Sequence, residues 1–312
     1  MSHPCRFISA TICSLIVSLL AVSQTTHPLF AAVQNNDVNK VKLILQEGKV
    51  DVNMIDDDSD NVLMYAALYA SPELMELLLK KSAKVNNRNK TGQTALMWCT
   101  NEKDKIDLLL RYDADINAAA NSGNTPLLIS CVGANKYDIV KFLLEKGADA
   151  LVKNRDKETA LMRAALFGDT ATISLLLNKG VDINAKDRGG ATALVQAIRN
   201  SNRPVALYLL DAGANPDFSV EVFPSALCVA AIFDEAEIVK AILKKTKNPI
   251  GVRASLLFAA YNEHDNVELI QALIDAGADV NFQGPGGTTA LKEAMKKGNT
   301  ATVALLQKAG AK

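Results

Sequence analysis

At 312 residues the chain is long enough for two ordinary domains or for one elongated array. Its 49% hydrophobic content supports a buried core, and with aromatics at 5% that core must be built from aliphatic side chains and alanine. Lys plus Arg and Asp plus Glu both total 34, so the formal net charge is zero and no global basic field exists to recruit nucleic acid. The three histidines and five cysteines are scattered, which argues against a multi-ligand metal site.

The first element is an address. Met1–Arg6 carries one fixed positive charge, and Phe7–Val22 is an apolar run of 16 residues, short of the roughly 20 that span a bilayer as a helix. The run ends in Ala21-Val22-Ser23, which predicts a secretory signal over residues 1–23 and a mature chain from Gln24; an uncleaved N-terminal anchor is the alternative. The signal would take Cys5 and Cys13 with it. Cys99, Cys131 and Cys228 remain, an odd set without C-x-x-C, read as small buried thiols and not as a disulfide framework.

From about His27 onward one unit recurs. A marker leucine falls at Leu29, Leu63, Leu96, Leu127, Leu161, Leu194, Leu227, Leu257 and Leu291, at steps of 34, 33, 31, 34, 33, 33, 30 and 34. The fifth copy shows the logic. Arg155-Asp156-Lys157-Glu158 turns the chain, and the Thr159 hydroxyl is placed to cap a first helix. Leu161, Ala164 and Ala165 then form one apolar face, with alanine where neighbouring helices must approach closely. Gly168 ends that helix; Ile173, Leu176 and Leu177 stripe a second, and Gly180 closes it. Tails such as Val52-Asn53, Val85-Asn86, Ile116-Asn117 and Val280-Asn281 mark the same point in other copies. Two helices this short cannot bury their faces alone, so copies must stack.

The period near 33 with starts such as Thr94-Ala95-Leu96 and Thr125-Pro126-Leu127 resembles the ankyrin repeat. The resemblance implies an all-α solenoid of helix-turn-helix units joined by β-hairpin-like loops over residues 24–312. Its copies fall near 27–55, 56–88, 89–119, 120–153, 154–186, 187–219, 220–249, 250–283 and 284–312. The family's histidine after the leucine is absent; Met64, Met97, Leu128, Met162, Val195 and Lys292 stand there, which predicts a lost capping bond and softer turns. The seventh copy runs through Lys244–Pro249 without the usual tail, predicting a shortened or irregular hairpin and a slight bend. Lys292, Glu293, Lys296, Lys297 and Lys308 make the last copy polar, as a capping repeat should be.

Chemistry is hard to place on this chain. Outside the signal, only His27 and His264 could serve as histidine bases, and neither belongs to a nucleophile pattern. Asp56, Asp58 and Asp60 match the first ligand positions of a calcium loop, but Asn61 replaces its glycine and Ala67 its glutamate, leaving an acidic turn. No phosphate-binding glycine motif occurs, and Asn89-Lys90-Thr91 is a formal glycosylation sequon on a hairpin tip. No catalytic residue, metal or cofactor is expected.

The resemblance implies a binding surface along one groove, at residues five and six beyond each marker leucine. Leu68-Tyr69, Leu166-Phe167 and Ile232-Phe233 are apolar where exposure is expected, and are read as anchors for a partner; burial beneath longer turns is the alternative. Arg199 lies at the same position in the sixth copy. Asp58 on one tip and Lys90, Arg155 and Arg188 on later tips would add selectivity, unless they are simply solvated turns. The expected function is an exported, monomeric, non-enzymatic module that binds another protein and neither nucleic acid nor membrane. The alternatives are a structural or self-assembling array, or a hydrolase or metal-dependent enzyme with its site in the groove.

Overall fold

The computed structural model describes residues 27–218, 225–247 and 249–312. The predicted signal, with Cys5 and Cys13, and the seventh tip at 219–224 lie outside them. The described residues form eighteen α-helices in nine pairs: α1 Pro28–Gln34, α2 Val38–Gln46, α3 Val62–Tyr69, α4 Pro72–Lys80, α5 Ala95–Trp98, α6 Lys103–Arg111, α7 Pro126–Ser130, α8 Tyr137–Glu145, α9 Ala160–Phe167, α10 Thr170–Asn178, α11 Ala193–Arg199, α12 Arg203–Asp211, α13 Ala226–Ile232, α14 Ala236–Leu243, α15 Pro249–Ala260, α16 Val267–Asp275, α17 Ala290–Lys297 and α18 Thr300–Lys308. They fall into two compact units that divide between Ala83 and Lys84.

In the first unit, α1 packs on α2 and α3, and α3 on α4. The Phe30 and Tyr65 rings meet edge to face at 4.8 Å, and the Tyr65 hydroxyl donates to Asp56 at 2.7 Å. In the second unit the first helices α5, α7, α9, α11, α13, α15 and α17 contact one another in sequence, and α8, α10, α12, α14, α16 and α18 form a second row. The first row is made of small residues: Ala164, Ala165, Ala197, Ala230, Ala231 and Ala294 are fully buried. Marker leucines Leu127, Leu161, Leu194 and Leu227 are at most 1% exposed, so close helix approach and leucine burial go together.

The helix starts follow the predicted chemistry. Thr125, Thr159, Thr192 and Thr289 each accept, through Oγ1, the N–H three residues on, and Asn61 does so through Oδ1. Gly168 ends α9, and Gly180 takes a left-handed φ of 82° just beyond α10. Of the predicted stripe on α10, Ile173 and Leu176 are buried while Leu177 is half-buried. The missing histidine is replaced in two ways. Met64, Met97, Leu128 and Val195 are buried apolar side chains, and the Met162 sulfur accepts the Thr159 N–H at 3.5 Å.

Among the described residues the connecting tips are hairpin-like loops without strands; the bridge between Ile55 and Asn61 is an isolated one. Each loop closes by a bond from the N–H of residue i to the carbonyl of i+4, as in Asn89 to Gln93 and Asn154 to Glu158. The side chain of residue i supplies further acceptors: Asn154 Oδ1 takes the N–H groups of Asp156 and Glu158. In the eighth copy, which follows the 30-residue step, the first helix α15 is 12 residues long. In the last copy Lys292, Lys296 and Lys308 are exposed as predicted, but Glu293 is buried.

Neighbouring copies of the second unit are tied by side chains as well as by packing. Asn86 and Asn117 each reach the next copy, donating to the carbonyls of Asp113 and Gly147 and accepting from the N–H groups of Asp115 and Asp149. Asn184 accepts from Asn215 N–H, Asp217 from Lys247 N–H, and Asn281 from Lys312 N–H. The recurrent tail asparagine is therefore an inter-copy strut. In the fourth copy Leu151 stands there instead, 58% exposed.

Candidate partner-binding surface

The turns between first and second helices carry the predicted anchors. In the second unit Phe167 and Phe233, at the ends of α9 and α13, are 44% and 41% exposed, whereas Leu166 and Ile232 are half-buried. Each of these two pairs thus presents one exposed aromatic ring beside one half-buried aliphatic side chain.

These turns are held by the following copy. Asn202 donates to the carbonyls of Ala165 at 3.3 Å and Gly168 at 3.0 Å, bracketing Phe167. Asn262 donates to the Ala231 carbonyl at 2.8 Å and Asn266 to the Asp234 carboxylate at 2.7 Å, bracketing Phe233. Arg199, half-buried at the end of α11, lies on the helix between them. The aromatic rings are therefore presented on a backbone that has little freedom to lose on binding. The interlocking asparagines Asn202, Asn262 and Asn266 were not legible in the sequence, because each reaches a partner in the preceding copy. In the first unit Leu68 and Tyr69 are 39% and 43% exposed at the end of α3, with Tyr69 6.2 Å from the Tyr65 ring.

On the tips, Asp58, Lys90, Arg155 and Arg188 are all exposed. Successive tips of the second unit are joined through the backbone: Asn121 N–H donates to Thr91 O, Arg155 N–H to Ser122 O and Arg188 N–H to Asp156 O. Glycine makes this approach possible, since a Cβ on Gly123 would lie 2.8 Å from Arg155 N and one on Gly92 2.5 Å from the Asn121 side chain. The acids of these tips are largely engaged. Glu158 receives Arg163 at 2.7 Å and Asn154 at 2.7 Å; Asp187 receives the Ala191 N–H and Gln196. Burial raises the Asp187 pKa, although the Ala191 and Gly189 N–H groups and the Arg199 charge pull it down.

The remaining candidates have structural tasks. Asp56 Oδ1 accepts from the N–H groups of Asp58 and Asp60 and Oδ2 from Tyr65, so its carboxylate closes the acidic turn. Asn89 likewise accepts from Thr91 and Gln93. His27 Nδ1 caps α1, and the exposed His264 lies 3.9 Å from Asp234. Trp98 is half-buried against Met97, Ala118 and Ala120 and donates to Gln93 at 2.9 Å. Cys99, Cys131 and Cys228 are free and buried; burial pushes the Cys99 and Cys131 thiols up to about 12, away from reactivity. Among the described residues no group of three His, Cys, Asp or Glu side chains is placed to hold a metal ion, and no helix is long and apolar enough to cross a membrane.

A family model described as ankyrin repeats (3 copies) matches residues 10–89, 63–154, 128–219 and 227–312. An ankyrin repeat protein of fowlpox virus is 34% identical over 135 residues, 42% of this chain and 39% of that protein. An E3 ubiquitin-protein ligase of Arabidopsis thaliana is 26% identical over 300 residues, 90% of this chain and 16% of the ligase. The chain thus spans well under half the length of these curated relatives. A solved chain from the complex of a predatory endopeptidase of Bdellovibrio bacteriovorus with an immunity protein is 28% identical, with a TM-score of 0.54, covering 60% of this chain and 99% of its own length.

Proposed function

The chain belongs to the ankyrin repeat family, whose arrays are protein–protein interaction modules, and from that premise we propose that it is an exported, non-enzymatic protein that holds one folded partner protein. The observation that carries this reading is the pair of solvent-exposed rings, Phe167 and Phe233, on turns locked by Asn202 and Asn262. Aromatic side chains, phenylalanine included, are enriched at the cores of protein interfaces. With α9, α11 and α13 in contact and helix axes about 8–10 Å apart, the rings lie roughly 16–20 Å from each other, a span suited to a protein surface. The apolar run at Phe7–Val22 supports export, and the solved chain taken from an endopeptidase complex supports a partner that is itself folded, such as an exported enzyme.

The test is affinity capture with tagged protein beside a Phe167→Asp/Phe233→Asp variant, against native envelope and culture-fluid extracts. The rings are exposed, so the variant should melt as the native protein does. The expected result is a protein retained by the native form and lost from the variant. If the variant folds and captures the same protein equally well, the assignment of the rings is wrong.

A further inference from the structure

We propose that the tips of the third, fifth and sixth copies form a fixed cationic ridge that receives an acidic face of the partner protein. This inference rests on the protein-binding reading above and adds the partner's chemistry to it. The tips carry Arg88, Lys90, Lys153, Arg155, Lys157, Lys186 and Arg188, all exposed. Among the described residues none of these has a carboxylate in ion-pair range, whereas the helices pair theirs: Lys146 with Asp107, Arg203 with Glu235, Lys240 with Glu268 and Lys297 with Glu263. Glu158 and Asp187, two of the three acids on the same tips, are half-buried and turned into Arg163 and Gln196, which leaves Asp156 as the exposed one.

Arg88 donates to the Ala119 carbonyl and Lys186 lies over the Phe218 ring, contacts that leave both charges unneutralised; like charges set side by side repel, and a solvated turn can relieve that by moving. These tips are less able to move. Arg155 and Arg188 donate their own backbone N–H groups to the preceding tips, at 2.9 Å each, and the fourth tip, bonded on both sides through Asn121 and Ser122, bridges the third to the fifth. The charges are therefore held in register, as a complementary stripe of carboxylates requires. A protein fits better than a nucleic acid. The tips offer no exposed aromatic ring for base stacking, since Trp98 is half-buried and bonded to Gln93, and the zero net charge supplies no wider attractive field.

The experiment measures binding of poly-L-glutamate of about 12 residues, which extended reaches about 40 Å and so spans the four tips. A DNA duplex of equal charge runs beside it, at about 0.05 M and about 0.5 M salt. Three full-length variants are compared with the native chain: Lys90→Glu/Arg155→Glu/Arg188→Glu, its glutamine counterpart, and Lys179→Glu/Lys244→Glu/Lys308→Glu, which makes the same change in net charge elsewhere. We expect the native protein to bind the peptide at low salt and release it at high salt. Both ridge variants should weaken binding at least about tenfold and the control less than about twofold. Absence of native binding, equal losses in ridge and control variants, or tighter binding of the duplex than of the peptide would each overturn the inference. The Phe167→Asp/Phe233→Asp variant should keep its affinity for the peptide. If that variant also captures the partner normally, the ring assignment fails while the ridge stands; loss of ridge selectivity alone sinks the ridge and leaves the rings.

Discussion

The tip-closing residue is Asp56 in the second copy, Asn89 in the third, Asn154 in the fifth and Asp187 in the sixth, and in each case Oδ1 accepts backbone N–H groups. An amide does this as well as a carboxylate, but without a charge to desolvate. Burial raises the Asp187 pKa in the folded chain above its unfolded value, so the folded state binds the proton more tightly. The ionised form therefore costs stability above the folded pKa, and that cost disappears as pH falls through the folded toward the unfolded pKa. Asp187→Asn should consequently stabilise the protein at neutral pH, with Gln196 turning its amide to keep a bond, and the gain should shrink in mildly acidic buffer. Urea unfolding at several pH values checks both the sign and the trend; a gain independent of pH contradicts the argument.

At the scale of the element, the tip is a five-residue loop whose fourth residue is left-handed: Ser59, Gly92, Gly123, Lys157 and Gly190 have φ of 63°, 76°, 81°, 61° and 77°. Glycine here serves two separate needs. At Gly298 the φ is also positive, 76°, but a Cβ would meet nothing within 4 Å, so Gly298→Ala should cost about 1 kcal/mol for the backbone alone. At Gly123 the Cβ would also press to 2.8 Å from Arg155 N, where the next tip is bonded. Gly123→Ala should therefore cost distinctly more, about 2 kcal/mol or above, and raise amide exchange at Arg155. Equal losses at the two positions would mean that the tips are not in close contact.

At the scale of the whole molecule, stability in a stacked array is the sum of each copy and its interfaces with neighbours. In the second unit the interfaces carry both apolar burial and the asparagine struts, and one strut is missing where Leu151 projects into solvent. An asparagine at this position, as at Asn117 and Asn184, would face the Gly180–Asp182 turn of the fifth copy. Leu151→Asn is predicted to raise stability by about 0.5–1.5 kcal/mol and to slow hydrogen exchange in the fourth and fifth copies more than in the ninth. A neutral or destabilising result in urea unfolding would show that the strut is not transferable.

The repeat and helix caps such as Thr159 were legible in the sequence, because leucine period, threonine caps and alanine faces are local patterns set by chain geometry. The tail asparagines were visible as a recurrence, but not as struts, because their partners lie some thirty residues away in the next copy. Likewise the sequence presented Leu166-Phe167 and Ile232-Phe233 as equal pairs, and only the packed helix decided which member turns outward. It presented acidic and basic residues on the tips as comparable charges. Tertiary structure separated them, engaging Glu158 through the Asn154 and Arg163 side chains and Asp187 through the Ala191 N–H, and leaving the tip cations without a carboxylate partner. The local code determined what the unit is; stacking determined which of its residues face a partner.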